Sequence, residues 1–359
     1  MMAAMDDGEV QCGSAGSGRA LRRVLSVAGR DDLLGSLADR LTGADLTTLL
    51  LEVFRRRAER LAPADVLRRY RSDRFVAPAT VHFAALRRAE GAMLGALPPE
   101  FDVLTLAPVL PLGSHWVTGG VDPRKVIATI RGTEVAADPT NGLALEAAER
   151  RGNLLRDSPR SADPVRLAAS QRVTRAQFFD GQSSRQVSAA GGSGGSSPRV
   201  SAAGGSGGSS PRVSFAHFQL LGVVTAGRDT GNSAFEIGHL AEHARVAAAG
   251  AAAAGAEQVT IAITCLSEPG RRVFAQVENA LGKLASTEVI QAPERESGRA
   301  YYRDLCFKVF AAAGGHRFEV GDGGFVDWTA KLLGNRKERL LISGYGLDRL
   351  ALLDGGQPH

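Results

Sequence analysis

A turn rich in glycine near the C-terminal end of the chain has the residue types of a phosphate-binding site. Gly344, Gly346 and Arg349 form a G-x-G-x-x-R pattern between a predicted strand and a predicted helix. Glycine lets the backbone approach a bound nucleotide, and arginine presents several coplanar donors to phosphate oxygens. The pattern predicts a phosphate-binding turn. The alternative is a glycine turn before an amphipathic helix, with Arg349 paired to a nearby acid.

Two further arginines, Arg172 and Arg175, lie in a predicted strand from Gln171 to Phe178. A second predicted strand, Ala216 to Thr225, follows after a long loop. Arginines held on a strand can present several fixed donors to an anionic ligand. A strand with two surface arginines is the alternative interpretation.

Three stretches, taken in order, resemble the signature motifs of class II aminoacyl-tRNA synthetases, nearest to the histidyl-tRNA synthetase branch. The first is Phe83 to Leu97 with Phe101 to Pro111. The second is Arg172 to Gln177 with Ala216 to Gln219, and the third is the Gly344 to Arg349 turn. The matches cover about residues 74–355. In this family the first stretch builds a dimer interface, so the resemblance implies a homodimer.

The order of the predicted elements agrees with this resemblance. Successive strands have few helices between them, which favours a largely antiparallel sheet with helices on its faces. The predicted fold class is therefore α+β, with a mostly antiparallel β-sheet flanked by helices. A helix is expected over Phe83 to Leu97, and a β-branched strand over Lys125 to Arg131.

The resemblance implies roles for the arginines and glycines. Arg172 would hold the α-phosphate of ATP and the substrate carboxylate, and Arg349 would hold the triphosphate tail, with Mg²⁺ bridging the phosphates. We therefore predict that Arg172 and Arg349 converge in one cleft. The implied catalytic residues are Arg172, Arg349 and Arg299, and the implied ATP-binding residues are Arg172, Arg175, Gly344, Gly346 and Arg349.

The resemblance also implies an amino-acid pocket, in which Glu134 would accept the substrate amine because an ammonium group needs a charged acceptor. The tyrosines of this set have a second interpretation, which is amphipathic core packing. The implied substrate-binding residues are Thr133, Glu134, Gln177, Tyr301, Tyr302, Gly323, Gly324 and Asp327.

Several positions depart from the histidyl pattern. The glutamate of the second motif is Thr174, and the arginine expected before the tyrosine pair is Ser297, which Arg299 would replace from the same strand face. The residues that read the imidazole ring fall on Leu220 and Val224. Apolar side chains cannot pair with an imidazole, and unpaired buried polar groups cost about 1–3 kcal/mol each. Histidine is therefore not the expected substrate.

Three functions are compatible with these observations. The first is ATP-dependent activation of an amino acid or related carboxylate as an acyl-adenylate, with tRNA or another acyl acceptor. The second is a non-catalytic, ligand-sensing paralogue similar to the regulatory subunit of ATP phosphoribosyltransferase, which also lacks an anticodon-binding domain. No such domain is expected here, because the sequence ends at His359. The third is an unrelated α/β protein.

Composition sets wider limits. The net charge is +5 and the pI about 9.4, which is compatible with polyanionic partners. The three cysteines form no C-x-x-C pair, so we expect a reducing, cytoplasmic location and no structural metal. No stretch approaches the roughly 20 apolar residues of a membrane helix, and no membrane partner is expected.

The chain divides into four predicted segments. Residues 1–20 are expected to form a disordered tail, residues 21–72 a helical region, and residues 73–355 the core. Within the core, residues 186–214 contain an exact duplication, since Ser188 to Val200 repeats as Ser201 to Val213. Its Gly/Ser composition predicts a mobile loop. Eight arginines between Arg55 and Arg74 indicate either a solvated helix face or an RNA contact.

Overall fold

The structure is a computed structural model that describes residues 10–176, 215–296 and 301–353. The predicted Gly/Ser loop, Gln177 and Arg299 lie outside the described residues. No helix in the described ranges is both long enough and apolar enough to cross a membrane.

The N-terminal region is helical, as the sequence predicts. Helix α1 spans Val10–Ala28, α2 spans Leu33–Gly35 and continues as a π-helical turn over Ser36–Arg40, α3 spans Gly43–Ala58, and α4 spans Pro63–Ser72. The Thr42 hydroxyl caps α3 by accepting the Asp45 N–H at 3.2 Å, and a proline starts α4. Helix α1 begins at Val10, within the segment predicted as a tail.

The core is built on one large sheet and one small one. Its strands are β1 Asp102–Val103, β2 Val109–Pro111, β3 Thr133–Val135, β4 Val165–Thr174, β5 His217–Arg228, β6 Gln258–Cys265, β7 Thr287–Gln291, β8 Arg303–Ala313, β9 His316–Val326 and β10 Glu338–Gly346. The eight-stranded sheet has the order β1-β4-β5-β10-β9-β8-β6-β7, and β2 pairs with β3. Only the outer pairs β1–β4 and β6–β7 are parallel. The predicted α+β class with a mostly antiparallel sheet is confirmed.

Helices cover both faces of the large sheet. They are α5 Phe83–Gly95, α6 Ser114–Gly119, α7 Pro139–Asp157, α8 Ala234–Ala253, α9 Glu268–Leu281, α10 Trp328–Leu332 and α11 Leu347–Leu350. On the front face, Leu143 and Ala147 of α7 pack against β4, β5 and β10. On the back face, α5, α8, α9 and α11 form the larger core cluster. Because side chains alternate along a strand, successive strand residues pack in turn against the front helix layer and the back helix layer.

The strand predicted over Lys125 to Arg131 is wrong. A 3₁₀ turn spans Pro123–Lys125, and of the following residues only Ala128 forms an isolated bridge, to Glu134. The chain reverses at Gly132, where φ is 67°, and the regular strand is β3. The backbone of the β-branched residues is extended. It forms one side of a short hairpin that turns at Gly132.

Two buried polar groups tie the helices to the sheet. Arg151 of α7 donates two hydrogen bonds to the Glu338 carboxylate, of 2.8 and 2.9 Å, and both side chains are 0% exposed. His243 of α8 lies between the hydroxyls of Thr225 at 3.0 Å and Ser343 at 2.9 Å. Burial lowers the pKa of His243 to about 3. The histidine is thus a neutral link between α8 and strands β5 and β10.

Candidate functional site

Arg349 lies in the helical turn that follows β10, and its guanidinium group is partly buried. It donates a hydrogen bond of 2.7 Å to the carbonyl oxygen of Glu319. Within the described ranges it forms no ion pair. Burial lowers the pKa of Arg349, the Glu319 carboxylate raises it, Arg175 lowers it, and Asp322 raises it. Arg349 therefore lies within electrostatic range of two carboxylates and one guanidinium group.

Arg175 follows the end of β4 and points to the front face. It donates to the Asp138 carboxylate at 3.1 Å and to the carbonyl oxygen of Ala137 at 3.2 Å. Its guanidinium carbon lies 5.1 Å from the centre of the Phe218 ring. Phe218 packs on the front side with Val173 and Leu220. Arg175 is thus held by a carboxylate, a carbonyl and an aromatic ring at once.

Arg172 points to the back face instead. Its Nε donates to Nδ1 of His217 at 2.8 Å, and one terminal nitrogen lies 3.5 Å from a carboxylate oxygen of Asp348. The other ring nitrogen of His217 lies 2.6 Å from the carbonyl oxygen of Ala77. Residues four apart in a strand point to the same face, so Arg172 shares the face of Ala168, which belongs to the back core cluster. Arg175 instead lies beside Phe218 on the front side. The prediction that Arg172 converges with Arg349 is wrong.

Asp322 and Tyr301 complete a cluster on the front face. Arg295 lies 3.3 Å from the Asp322 carboxylate and 5.3 Å from the centre of the Tyr302 ring. Tyr301 packs edge-to-face on Trp328, with ring centres 5.5 Å apart. Burial raises the pKa of Tyr301, and the charges of Asp138 and Asp322 raise it further. We call Asp138, Arg175, Arg295, Tyr301, Asp322 and Arg349 the front cluster.

The sequence analysis missed three members of this cluster, namely Asp138, Arg295 and Asp322. Local signals existed for two of them. Asp138 precedes Pro139 and caps α7 by accepting the Thr140 N–H at 3.0 Å, a pattern that marks a helix start. Asp322 lies two residues before Gly324 and therefore points to the same face of β9. No local signal marked Arg295, because only the folded chain brings it next to Asp322.

Glu134 does not contribute a free carboxylate to the cluster. It accepts hydrogen bonds from the N–H groups of Gly113 at 2.9 Å and His115 at 2.8 Å, and it also binds the His115 ring. Burial acts to raise the pKa of Glu134, but these donors hold it below the ordinary value. The His115 ring accepts in turn from the Ala137 N–H at 3.1 Å. Glu134 therefore caps α6 and positions the segment next to Asp138, contrary to the predicted amine contact.

The other predicted substrate residues have structural partners. Thr133 shares a 2.6 Å hydrogen bond with Thr129 in the small hairpin. Asp327 pairs with Arg303 at 3.0 Å and Lys331 at 2.9 Å. A Cβ atom on Gly323 would lie 2.6 Å from the carbonyl oxygen of Ile342. None of these three residues joins the front cluster.

Two pairs of the predicted residues border the cluster directly. Gly324 lies against the Tyr302 ring, and a Cβ atom there would be 2.6 Å from it. Gly344 pairs with Asp322 in the sheet register, and Gly346 is the last residue before the turn that carries Arg349. Tyr302, Gly324, Gly344 and Gly346 thus lie next to members of the front cluster, and their predicted roles in binding stay predictions. Within the described ranges no group of three acidic, histidine or cysteine side chains could hold a metal ion.

The comparisons with known proteins agree with this architecture. No protein-family model and no curated protein matches the chain. Among solved structures it is similar to an ATP phosphoribosyltransferase regulatory subunit/histidyl-tRNA synthetase from Bacillus halodurans, with a TM-score of 0.52 and 14% identity, over 77% of this chain and 82% of that one. It is also similar to apo histidyl-tRNA synthetase from S. aureus, with a TM-score of 0.51 and 11% identity, over 78% and 70% of the two chains.

The chain therefore has the fold of the class II aminoacyl-tRNA synthetase catalytic core. The first of the two structures named above is described as both a regulatory subunit and a histidyl-tRNA synthetase, and the second as a histidyl-tRNA synthetase. At 14% and 11% sequence identity, these similarities show a shared fold and do not show a shared function.

Proposed function

We propose that this protein is a non-catalytic, ligand-binding relative of the class II synthetases, in which Arg349 binds the anionic group of a small carboxylate or amino acid. One observation carries the proposal. Arg349 is a partly buried cation that, in the described part of the chain, contacts a carbonyl oxygen and no carboxylate. The carboxylates of Glu319 and Asp322 act on Arg349 through space, and Glu319 pairs directly with Lys308. A ligand carboxylate would give this partly desolvated cation a direct contact in a planar, two-bonded geometry.

The arrangement of the other arginines argues against adenylate formation. That reaction needs fixed cations around one phosphorus atom. Arg172, the arginine implied for this role, is engaged by His217 and Asp348 behind the sheet. Arg175 lies on the correct face but already pairs with Asp138. In the described part of the chain, Arg172 and Arg349 therefore do not form the predicted pair of contacts to the triphosphate of ATP and its Mg²⁺.

The positions that would read an imidazole ring argue against histidine as the ligand. Leu220 and Val224 are 0% exposed on the front side of β5, and they pack into the core with apolar neighbours. Neither can donate or accept a hydrogen bond through its side chain. An amino acid whose side chain needs no polar partner therefore suits the proposal better than histidine.

A binding screen with a matched pair of variants tests the proposal. The full chain is heated with each of the twenty amino acids in turn, and with ATP plus Mg²⁺, and positive results are repeated by calorimetry. We expect an amino acid to raise the melting temperature of the wild-type protein, Arg349→Gln to lose the effect, and Arg172→Gln to keep it. Equal binding by Arg349→Gln, or no binding of any probe, would contradict the proposal.

Adenylate formation is the second candidate, because Arg175 and Arg349 share the front side and interact electrostatically. Pyrophosphate exchange distinguishes the two functions. The first proposal expects no exchange with any amino acid, even at saturating ATP and Mg²⁺. Exchange that is abolished in Arg175→Gln and Arg349→Gln but persists in Arg172→Gln would establish the second.

A further inference from the structure

The N-terminal region exposes far more apolar surface than the core does. We call residues 19–74 the arm. Helices α2, α3 and α4 of the arm contain no buried residue. A core-facing amphipathic helix would hide its apolar stripe. The large apolar side chains exposed on the arm are Leu21, Val24, Val27, Leu34, Leu41, Leu49, Val53, Phe54, Leu61, Val66, Leu67 and Tyr70.

Helix α3 separates its apolar and charged residues cleanly. Leu46, Leu49, Leu50, Val53 and Phe54 follow the helical repeat and form one stripe. The opposite side carries ion pairs within the helix, between Glu52 and both Arg55 and Arg56, and between Arg55 and Glu59. The charges on that side are therefore already matched.

Some arginines of the arm do not follow this rule. Arg57 lies about three helical turns after Leu46 and so points along the apolar stripe. In α4, Arg69 and Arg71 flank the stripe of Val66, Leu67 and Tyr70. In the described ranges Arg57, Arg69 and Arg71 form no ion pair, whereas Arg68, on the opposite side, pairs with Asp65. Each stripe thus combines apolar side chains with arginines whose charge is not matched.

We propose that the arm binds the surface of an anionic lipid bilayer, with its helices lying in the interface and their apolar stripes turned toward the acyl chains. Such helices have an apolar side, arginine beside it, and low overall hydrophobicity. Arginine can keep its apolar stem in the acyl region while its head reaches lipid phosphates. The sequence predicts no membrane partner because no segment is long and apolar enough to span a bilayer. The helices of the arm, which have at most 19 residues, would lie on the bilayer surface without spanning it.

Charge decides between this partner and the alternatives. The arm contains thirteen arginines, no lysine and eight acidic residues, so two arms repel each other, which disfavours pairing with a second copy. RNA would supply phosphates for the arginines but no apolar medium for the stripes. An anionic bilayer supplies both, and it accepts several short helices without a groove of matching shape.

Co-sedimentation of the full chain with vesicles tests the proposal. We expect binding to vesicles of phosphatidylcholine with one quarter phosphatidylglycerol, at least about tenfold weaker binding to pure phosphatidylcholine, and loss of binding at high salt. Val53→Ser/Phe54→Ser and Arg57→Gln/Arg69→Gln/Arg71→Gln should each bind at least about tenfold more weakly. The matched control Arg55→Gln/Arg56→Gln/Arg68→Gln removes the same charge from the ion-paired side and should bind nearly as wild type.

Each other outcome overturns the proposal. Equal losses in the control variant would mean that total charge alone acts. Binding of RNA but not vesicles, with no effect of Val53→Ser/Phe54→Ser, would assign the arginines to nucleic acid. A dimer that dissociates in Val53→Ser/Phe54→Ser, without vesicle binding, would assign the stripes to a second copy. The melting temperature of every variant is measured as a control, and an unchanged value shows that the core still folds.

Discussion

The core buries Arg151 and Glu338 as a matched pair, whereas the arm keeps its ion pairs at the surface and exposes apolar side chains beside unmatched arginines. Arg151 and Glu338 are both 0% exposed and fully hydrogen-bonded, but Arg55 and Glu52 are 55% and 42% exposed. Buried polar groups are costly unless satisfied, and exposed pairs contribute little. The contrast indicates that the buried pair maintains the fold, and it agrees with the proposal that the unmatched arginines of the arm contact a partner.

The largest effect is expected at the buried pair. Arg151→Met leaves the Glu338 carboxylate buried without its cation, which should lower the free energy of unfolding by about 3–5 kcal/mol. Urea denaturation followed by fluorescence measures the loss. The double variant Arg151→Met/Glu338→Leu should recover much of it, since no charge then remains buried. A single variant as stable as wild type would remove the basis of the comparison.

Gly324 tests how closely the front side is packed. A Cβ atom there would lie 2.6 Å from the Tyr302 ring and 2.7 Å from Cβ of Cys306, so Gly324→Ala should cost up to about 3 kcal/mol. The matched control is Gly346→Ala, where the nearest atom is 3.7 Å away and the change should stay within about 0.5 kcal/mol. Thermal denaturation compares the two. Equal effects would show that Tyr302 moves aside without cost.

His243 should make the core sensitive to acid. Its folded pKa is about 3, below the ordinary 6.5, so the unfolded chain binds a proton that the folded chain refuses. Stability from this residue is complete above pH 6.5 and decreases as the pH falls toward 3. Between pH 6.5 and 4.5 the wild type should lose on the order of 2 kcal/mol more than His243→Gln. Parallel losses in the two proteins would show that His243 accepts a proton while folded.

The smallest effect is expected in the arm. Arg55→Gln breaks ion pairs with Glu52 and Glu59, yet both partners remain hydrated and the midpoint of thermal unfolding should not change within error. Differential scanning calorimetry on wild type and variant is sufficient. A clear drop would mean that the arm's surface pairs stabilise the fold and that the contrast with the core is false.

The sequence predicts the helices and strands better than it predicts the face of the sheet to which a side chain points. Helix α5, the pair β4 and β5, and the glycine turn before Arg349 were anticipated, because periodicity and glycine are local signals. The face to which Arg172 points was not. Strand β4 is buried on both sides, with Leu167, Ala168 and Ala169 all 0% exposed, so it shows no alternation from which to assign a face.

The candidate site was predicted only in part for a related reason. Arg175, Tyr301 and Arg349 were recognised through motifs, whereas Asp322 and Arg295 enter through contacts between distant segments. Glu134 illustrates the opposite error. A carboxylate near a substrate motif suggested an amine contact, but its oxygens satisfy the first N–H groups of a helix that the sequence did not predict.

Asp348 and Arg349 are consecutive residues of one short helical turn, yet they serve opposite sides of the sheet. Asp348 accepts the Gln219 N–H at 2.6 Å and lies near Arg172, whose histidine partner reaches the carbonyl oxygen of Ala77 just beyond the arm. One peptide unit therefore joins two contact chains covalently, one leading to the front cluster and one leading to the backbone next to the arm.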